Sequence, residues 1–470
     1  MNLKSALKGE VFEKLQLAAS QLNVKAYLIG GFVRDYLLNR PCKDIDVVVV
    51  GPGIALAQAF GEAVNAKEVI IYENFGTALV RFKDYDVEFV GARKESYQRN
   101  SRKPFVEEGT LEDDQLRRDF TINALSISLN QEDLGEVNDP FEGLLDLEEG
   151  IIRTPTDPNV TFSDDPLRML RAIRFATQLG FYIEEETYEA IARNRKRIEI
   201  ISKERVKDEL NKIILAAPQK APSLGFEILF KTGLLDIIFP ELAAMHGIEV
   251  RNGRGHKDNF YHTLQVLDNV AEISDNLWLR WVAILHDIAK PVCKRYSPQT
   301  GWTFHGHEDK GARMVSKIFK RMKLPLNQDM KYVEKLVRLH QRPIALVNEE
   351  VSDSAIRRIV VEAGEDLDDL LDFCRCDITS RNPKKVQRFL RNYKELEDRI
   401  REVEERDNLR NWQPPIDGEM IMKEFDLKPS RTVGQIKNAI REAILEGEIP
   451  NDPEAAHAYM HQIAPEFLKP

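Results

Sequence analysis

Histidine is missing from the first 245 residues of this 470-residue chain; all nine lie at or after His246. Any chemistry in the first half must therefore run on carboxylates, arginines and backbone amides. Cysteine is scarce too. Cys42, Cys293, Cys374 and Cys376 are too few and too scattered for a disulfide framework, and the Cys374/Cys376 pair lacks the CxxC spacing of a zinc or redox site, so they read as free, buried thiols. No uninterrupted apolar run approaches the ~18 residues of a membrane span. The amphipathic opening MNLKSALKGEVFEKLQ has no apolar core of the kind a signal peptide needs, and the cytoplasm is the expected compartment. An excess of positive charge is absent as well: the net charge is -10, which by bulk charge argues against a nucleic-acid partner. Internal repeats and low-complexity tracts are not found.

What is present divides in two. With 43% hydrophobic and 31% charged residues the composition is that of a globular protein, and the length calls for about two to four domains. The first part alternates helix and strand patterns. Residues 11–23 read as a helix, a Gly30–Gly31 turn leads to a helix near Arg34–Asn39, and the β-branched run Ile45–Val50 reads as a buried strand. Further strands are expected at Lys67–Tyr72, Thr77–Phe82 and Tyr85–Val90, the last two joined by a turn at Lys83–Asp84. After Pro166 the pattern becomes almost wholly helical. Prolines and glycines put boundaries near Thr154–Ser163, Pro218–Pro222, Gly247–Gly255 and Trp412–Asp417. Positive charge collects at Arg93–Lys103, Arg193–Arg197 and Arg381–Lys394, where each cluster reads first as a solvated face.

The stretch GGFVRDYLLNRPCKDID concentrates the chemistry of the first half. Asp44 and Asp46, two apart at a strand start, point to one face about 7 Å apart along the strand. Carboxylates that close repel unless a cation is shared, and oxygen-only ligands suit Mg²⁺. The alternative is an aspartate pair that merely caps the strand entrance. Gly30 and Gly31 permit close backbone approach to a triphosphate, and Arg34 follows three residues later. Further on, Asp165 and Arg168 are expected as i, i+3 neighbours on one helix face. Aspartate accepts and arginine donates, a pair that suits the pairing edges of cytosine and adenine and mismatches uracil and guanine. Arg171 and Arg174 continue the spacing toward a triphosphate.

GGFVRDYLLNRPCKDID resembles the first motif of the class II tRNA nucleotidyltransferase and poly(A) polymerase family, in the polymerase-β-like superfamily. RRDFTINA (Arg117–Ala124), DPFEGLLD (Asp139–Asp146), DDPLRMLRAIR (Asp164–Arg174) and ERVKDELNKIIL (Glu204–Leu215) resemble its later motifs, in order, over about 190 residues. The family usually carries Glu where this chain has Asp164, so no role is assigned to that residue. The resemblance implies an α+β protein with a small mixed α/β nucleotidyltransferase head, residues 1–153, and a helical neck, residues 154–245. It implies catalytic, Mg²⁺-holding Asp44 and Asp46; nucleotide-binding Gly31, Arg34, Arg118, Asp165, Arg168, Arg171 and Arg174; and an organising role for Asp119. Asn123 reads either as part of that site or as a turn residue. The implied reaction is transfer of nucleotides from CTP and ATP to the 3′ end of tRNA. CCA, CC, A and poly(A) remain open as products, and the stretch Arg93–Leu116 is long enough for the flexible loop that full CCA addition would need.

The histidines form a second constellation. His262, the adjacent His286–Asp287 of ILHDIAKP, His307, His340 and Asp377 are spread over helical sequence. Imidazole and carboxylate without thiolate suit Mn, Fe, Co, Ni or Mg. LHDIAKP looks like an HD-domain metallohydrolase, residues 246–380, in which His262, His286, Asp287 and Asp377 fill the H…HD…D pattern and His307 and His340 occupy positions for a second metal. This resemblance implies phosphomonoesterase or 2′,3′-cyclic phosphodiesterase chemistry. A hydrolase of nucleotides or cyclic phosphates whose head only recognises RNA is the reading from another enzyme class. The tail, residues 381–470, resembles the helical segment that contacts tRNA in the family, with Lys428 and Arg431 at a turn that offers amides to a phosphate; a packing helix pair is the alternative. A membrane is not expected, and no protein partner is predictable from the sequence.

Overall fold

The computed structural model describes residues 1–73, 76–96, 105–347, 352–380, 382–407 and 414–468. These fall into two compact units, Met1–Ala243 and Ala244–Pro470.

The first unit opens with a mixed sheet. Its strands are β1 (Lys25–Ile29), β2 (Asp44–Val50), β3 (Val69–Tyr72), β4 (Thr77–Phe82), β5 (Tyr85–Gly91), β8 (Ser126–Ser128) and β9 (Val137–Asn138), in the order β3-β4-β5-β2-β1-β8-β9. Two more strands, β6 (Arg93–Ser96) and β7 (Phe105–Glu108), pair antiparallel beside it. The central strand is β2, parallel to β5 and antiparallel to β1. Its sequence DIDVVVV explains the place: β-branched residues suit a pleated buried surface, and period-two alternation separates two faces. Ile45, Val47 and Val49 enter the main core with Phe60, Phe89 and the helices Glu10–Leu22 and Gly53–Ala63. On the opposite face Asp44 and Asp46 lead to Val48, which packs with Ile29 and Ala92. The sheet thus seals one side and leaves the other for chemistry.

The four expected strands, now β2 to β5, and the Lys83–Asp84 turn lie where the sequence places them, to within two residues, whereas β1, β8 and β9 were not expected. Between Arg93 and Leu116 the described residues are not loop alone: β6 and β7 form a ribbon in the register Arg93↔Glu108 to Ser96↔Phe105, followed by the helix Leu111–Leu116, which carries a Thr110–Asp113 capping box. Residues 97–104, with much of the first basic cluster, fall outside the described residues, as do Arg381 of the third cluster and Trp412 of the last boundary. The remainder of this unit is helical apart from the short parallel pair Ile151–Ile152 and Tyr182–Ile183: Pro158–Asp164, Leu167–Leu179, Glu185–Asn194, Lys203–Ile214 and Pro222–Lys231 are its longer helices. Within the second basic cluster, Arg195 and Arg197 donate to the carbonyls of Ala192 and Ser163, which is the work of a helix surface.

The second unit is built from helices, with two short ribbons, Val250–Arg251 with Arg254–Gly255 and Arg295–Ser297 with Gly301–Thr303. Side-chain caps start several of its helices: Asp258 before Asn259–Ile273, Asn276 before Leu277–Leu285, Asn327 before Gln328–Leu339 and Ser352 before Asp353–Ala363. Helices His307–Met322 and Leu367–Asp377 complete the packing around a buried histidine cluster. All four cysteines are free, and Cys374 and Cys376 are buried. Burial pushes both thiols up, Cys376 to about 12. Among the described residues no helix is long and apolar enough to cross a membrane.

Candidate functional site

The open face of β2 carries more acid than the DxD pair. Parallel pairing with β5 sets Asp44 beside Asp86 and Asp46 beside Glu88, and the pairing with β1 sets Asp46 beside Ile29. Burial raises the Asp46 carboxyl, with Asp44 pushing the same way against the pull of Arg118 and Arg171. Burial and then Asp46 likewise raise Glu88. Crowded carboxylates with surplus negative charge and oxygen-only donors fit a divalent hard cation. Glu88 was not singled out from the sequence; the signal was an acid placed by alternation on the face of the strand YDVEFVG opposite the core residues Val87 and Phe89.

The glycine turn is used asymmetrically. Gly30 has φ +77°, and a Cβ there would lie 2.9 Å from an Arg118 guanidinium nitrogen and 3.3 Å from Asp46 Oδ2. Gly31 is the first residue of the helix Gly31–Leu37 and has no positive φ. The conformational demand expected of both glycines therefore falls on Gly30 alone, because only the residue between β1 and the helix must reverse the backbone next to Asp46.

Arginines converge beside the acids. Arg34, Arg171 and Arg174 place their guanidinium carbons 4.8, 5.3 and 4.1 Å from the centroid of the Phe175 ring. Each is also tethered: Arg34 donates to Asn123 Oδ1 at 2.7 Å, Arg171 to Asp119 Oδ2 at 2.6 Å, and Arg174 lies 2.8 Å from Glu209. Asn123 donates in turn to Asp119 Oδ1 at 3.0 Å, so it is a member of this network and not only a turn residue. Burial would raise the Asp119 carboxyl, but the charge of Arg171, the Asn123 amide and Arg168 hold it down at about 2. Burial lowers Arg174 to about 10 against the pull of Glu209. Arg118 is anchored at 3.1 Å by the fully buried Asp114, which also holds Arg117. Phe175, Asp114 and Glu209 were missed as site residues, since a buried ring or acid within a helical pattern reads as core.

Asp165 and Arg168 depart from expectation. Asp165 lies outside the helix Leu167–Leu179, with φ -131° and ψ 97°, because the residue before a proline is driven out of the α region. Its carboxylate accepts from the Leu167 amide at 3.2 Å. Arg168 donates to the Arg117 carbonyl at 2.6 Å and lines a cavity with Lys94, Thr161 and Asp164. The two residues therefore flank the helix start instead of sharing a helix face.

The histidines meet as expected. His262 Nε2 is 3.0 Å from Asp377 and 3.6 Å from Asp287, His286 Nε2 is 3.3 Å from Asp287, and His307 Nε2 lies 3.2 Å from Asp287 and 3.3 Å from His340 Nε2. Their other nitrogens face outward: Nδ1 of His286, His307 and His340 meets the carbonyl of Ala283, Phe304 and Val337, and Nδ1 of His262 meets Thr379 Oγ1 at 2.9 Å. A carbonyl only accepts, so Nδ1 of His286, His307 and His340 must donate, and each of these three rings, when neutral, turns an Nε2 lone pair inward. His286 Nε2 and Asp287 Oδ1 are buried without a hydrogen-bond partner, near their neighbours but out of line. Those orphaned atoms, with Asp287 and Asp377, fit a divalent cation. Burial would lower His286, but the two carboxylates raise it; burial, followed by the charge of His286, lowers His340 to about 4. Lys290, bonded to Asp287, and Lys257, which donates to the Thr379 carbonyl at 2.8 Å, add positive charge that the sequence reading did not use.

The sequence matches the poly A polymerase head domain over residues 26–153, a probable RNA and SrmB-binding site of polymerase A over residues 180–245, and an HD domain over residues 259–371. It is 31% identical over 450 residues to the A-adding tRNA nucleotidyltransferase of Deinococcus radiodurans, covering 94% of this chain and 96% of that one. The chain belongs to the tRNA nucleotidyltransferase family. It is 36% identical over 321 residues to the multifunctional CCA protein of Haemophilus influenzae, over 64% of this chain and 71% of the relative. The fold of this nucleotidyltransferase also matches a Thermotoga maritima CCA-adding enzyme solved in complex with tRNA, with a TM-score of 0.61 at 20% identity, covering 98% of this chain and 99% of that chain.

Proposed function

We propose that this nucleotidyltransferase adds C and A nucleotides to the 3′ end of tRNA from CTP and ATP. The observation that carries the reading is the convergence of Arg34, Arg171 and Arg174 on Phe175, with Arg171 and Arg118 acting on Asp46 of β2. In this reading the head is residues 1–153, the neck 154–245, the HD domain 246–380 and the tRNA-contacting tail 381–470, and the enzyme works in the cytoplasm. Asp44 and Asp46, with Glu88 beside them, would hold Mg²⁺, which supplies charge against the triphosphate and the reacting hydroxyl. Arg34, Arg118, Arg171 and Arg174 bind and orient the triphosphate, while Gly31 opens the helix behind it. The RNA 3′-oxygen bonds to the α-phosphorus, the α–β bridge breaks, pyrophosphate leaves with the electron pair, and the hydroxyl proton passes to water. Asp165 and Arg168 read the pairing edge of the base.

A second reading is addition of A alone. It is supported by the relative matched over nearly the whole chain, whose name specifies A, whereas the CCA protein matches over 64% of this chain. Incubating the enzyme with tRNA lacking its 3′ end, or ending in CC, in CTP, ATP or both, followed by sequencing, decides between them. Addition of C-C-A supports the first, a single A on the CC end alone the second; long A-tails would make it a polymerase, and no incorporation overturns the family of readings.

The histidine ring supports an additional activity. His262, His286, Asp287 and Asp377, with His307 and His340, would hold Mn, Fe, Co, Ni or Mg, which supplies an activated hydroxide to a phosphomonoester or 2′,3′-cyclic phosphate at an RNA end. Lys257 and Lys290 offer positive charge to that phosphate. His286→Ala is expected to abolish metal-dependent hydrolysis of a cyclic-phosphate end with nucleotide addition intact; hydrolysis at the normal rate would refute the assignment.

A further inference from the structure

The last helices carry three side chains that neither site uses. Helix Gly418–Glu424 starts at Asp417, which accepts from the Met420 amide at 2.8 Å, and ends on Glu424. Helix Pro453–Phe467 starts at Asp452 with proline in its first turn, and its period sets His457 and His461, four apart, on one face. His461 Nε2 lies 3.0 Å from Glu424 Oε1, and His457 Nε2 lies 3.8 Å from Glu424 Oε2. One ligand atom from each residue falls within 4.8 Å of the other two. All three side chains are partly open to solvent, so an ion can reach them.

We propose that Glu424, His457 and His461 form a binding site for a divalent cation of the zinc or nickel class. Imidazole nitrogens bind such ions at about 2.0–2.1 Å, which puts neighbouring ligands of a tetrahedron roughly 3.3 Å apart. His461 Nε2 at 3.0 Å from Oε1 and His457 Nε2 at 3.8 Å from Oε2 each stand near that spacing from an oxygen of Glu424, and small side-chain shifts close the set around one ion. A plain ion pair explains the arrangement less well. One imidazolium would neutralise Glu424, and the second ring, its centroid 4.8 Å from the first, would then be repelled if protonated. A single cation satisfies both nitrogens and the carboxylate together. The two nitrogens and one oxygen, with no thiolate, select the borderline ions over copper(I). Phe425, edge-on to His461 at 5.3 Å, helps fix the orientation of that ring. The ion would clip helix Gly418–Glu424 to helix Pro453–Phe467 and leave an open position for water.

The test is calorimetric titration of the metal-stripped full chain with Zn²⁺, comparing the wild type with His457→Ala/His461→Ala. Uptake by the head and by the histidine ring is common to both, so the difference reports this site. The wild type is expected to take up one more equivalent than the double variant, and Glu424→Gln is expected to bind that equivalent at least about tenfold more weakly. Equal stoichiometry in wild type and double variant overturns the site. Should the double variant not fold, Glu424→Gln decides alone, and unchanged affinity for every equivalent overturns the proposal.

Discussion

In the proposed function the acids of β2 and the histidine ring would each hold a divalent cation, and they would do it by opposite means. On β2 the donors are carboxylates fixed by sheet register; burial raises Asp46 and Glu88, and arginines stand beside them. In the proposed reaction that site would work with a substrate that brings its own phosphates. In the second unit the donors are imidazoles locked by their outer nitrogens, with orphaned inner atoms already in place. The first is an arrangement of charge set by strand register, and the second is a set of rings already turned to one another. The absence of histidine from the first 245 residues is the mark of this division.

The strongest way to break the comparison is Asp46→Ala. Nucleotide incorporation is expected to fall by about 10³-fold or more, several kcal/mol of barrier, while metal uptake by the histidine ring stays unchanged. A labelled-ATP assay run beside a metal count checks it, and loss of both would join what the comparison separates. Next is Asp119→Asn. The native carboxyl sits at about 2, below the unfolded value of about 3.9. Its contribution to stability is therefore complete above the unfolded value and is lost as pH falls through about 2. The variant is expected to be about 2 kcal/mol less stable at pH 7 by urea unfolding, with the gap narrowing toward acid. Thr379→Val removes the partner of His262 Nδ1 and is expected to weaken metal binding in the ring by about tenfold, leaving nucleotide addition intact. The smallest effect is that of Phe175→Leu. Three guanidiniums lose the ring face that eases their mutual repulsion, and the KM for ATP is expected to rise by about three- to tenfold with kcat less affected.

Strand content was legible because alternation and β-branching speak directly of a pleated surface, and Thr77–Phe82 lies where the pattern puts it. The DxD pair and the histidines were legible because each residue type is unusual in its context. Glu88 was not, since its role comes from lying beside Asp46 across two strands, a matter of register that no local window contains. Asp165 was misplaced for a local reason: helical spacing was carried through Pro166, although a proline expels the residue before it from the helix. Phe175 is hidden for a third reason, because an apolar residue at helical period reads as core until its neighbours are known to be arginines. His457 and His461 show their spacing in the sequence, but Glu424, which makes them a cluster, lies more than thirty residues away.

Three members of the histidine ring stand at helix ends. His286 closes Leu277–Leu285, His307 opens His307–Met322 and His340 closes Gln328–Leu339. Each is held by the carbonyl three residues before it. Helix ends are the places where backbone hydrogen bonds open most readily, so the affinity of this ring for the proposed ion would also be a gauge of fraying. A ligand poised there is released whenever its own terminal turn unwinds, even while the surrounding core stays packed. Amide exchange at these three turns should then slow together when metal is added.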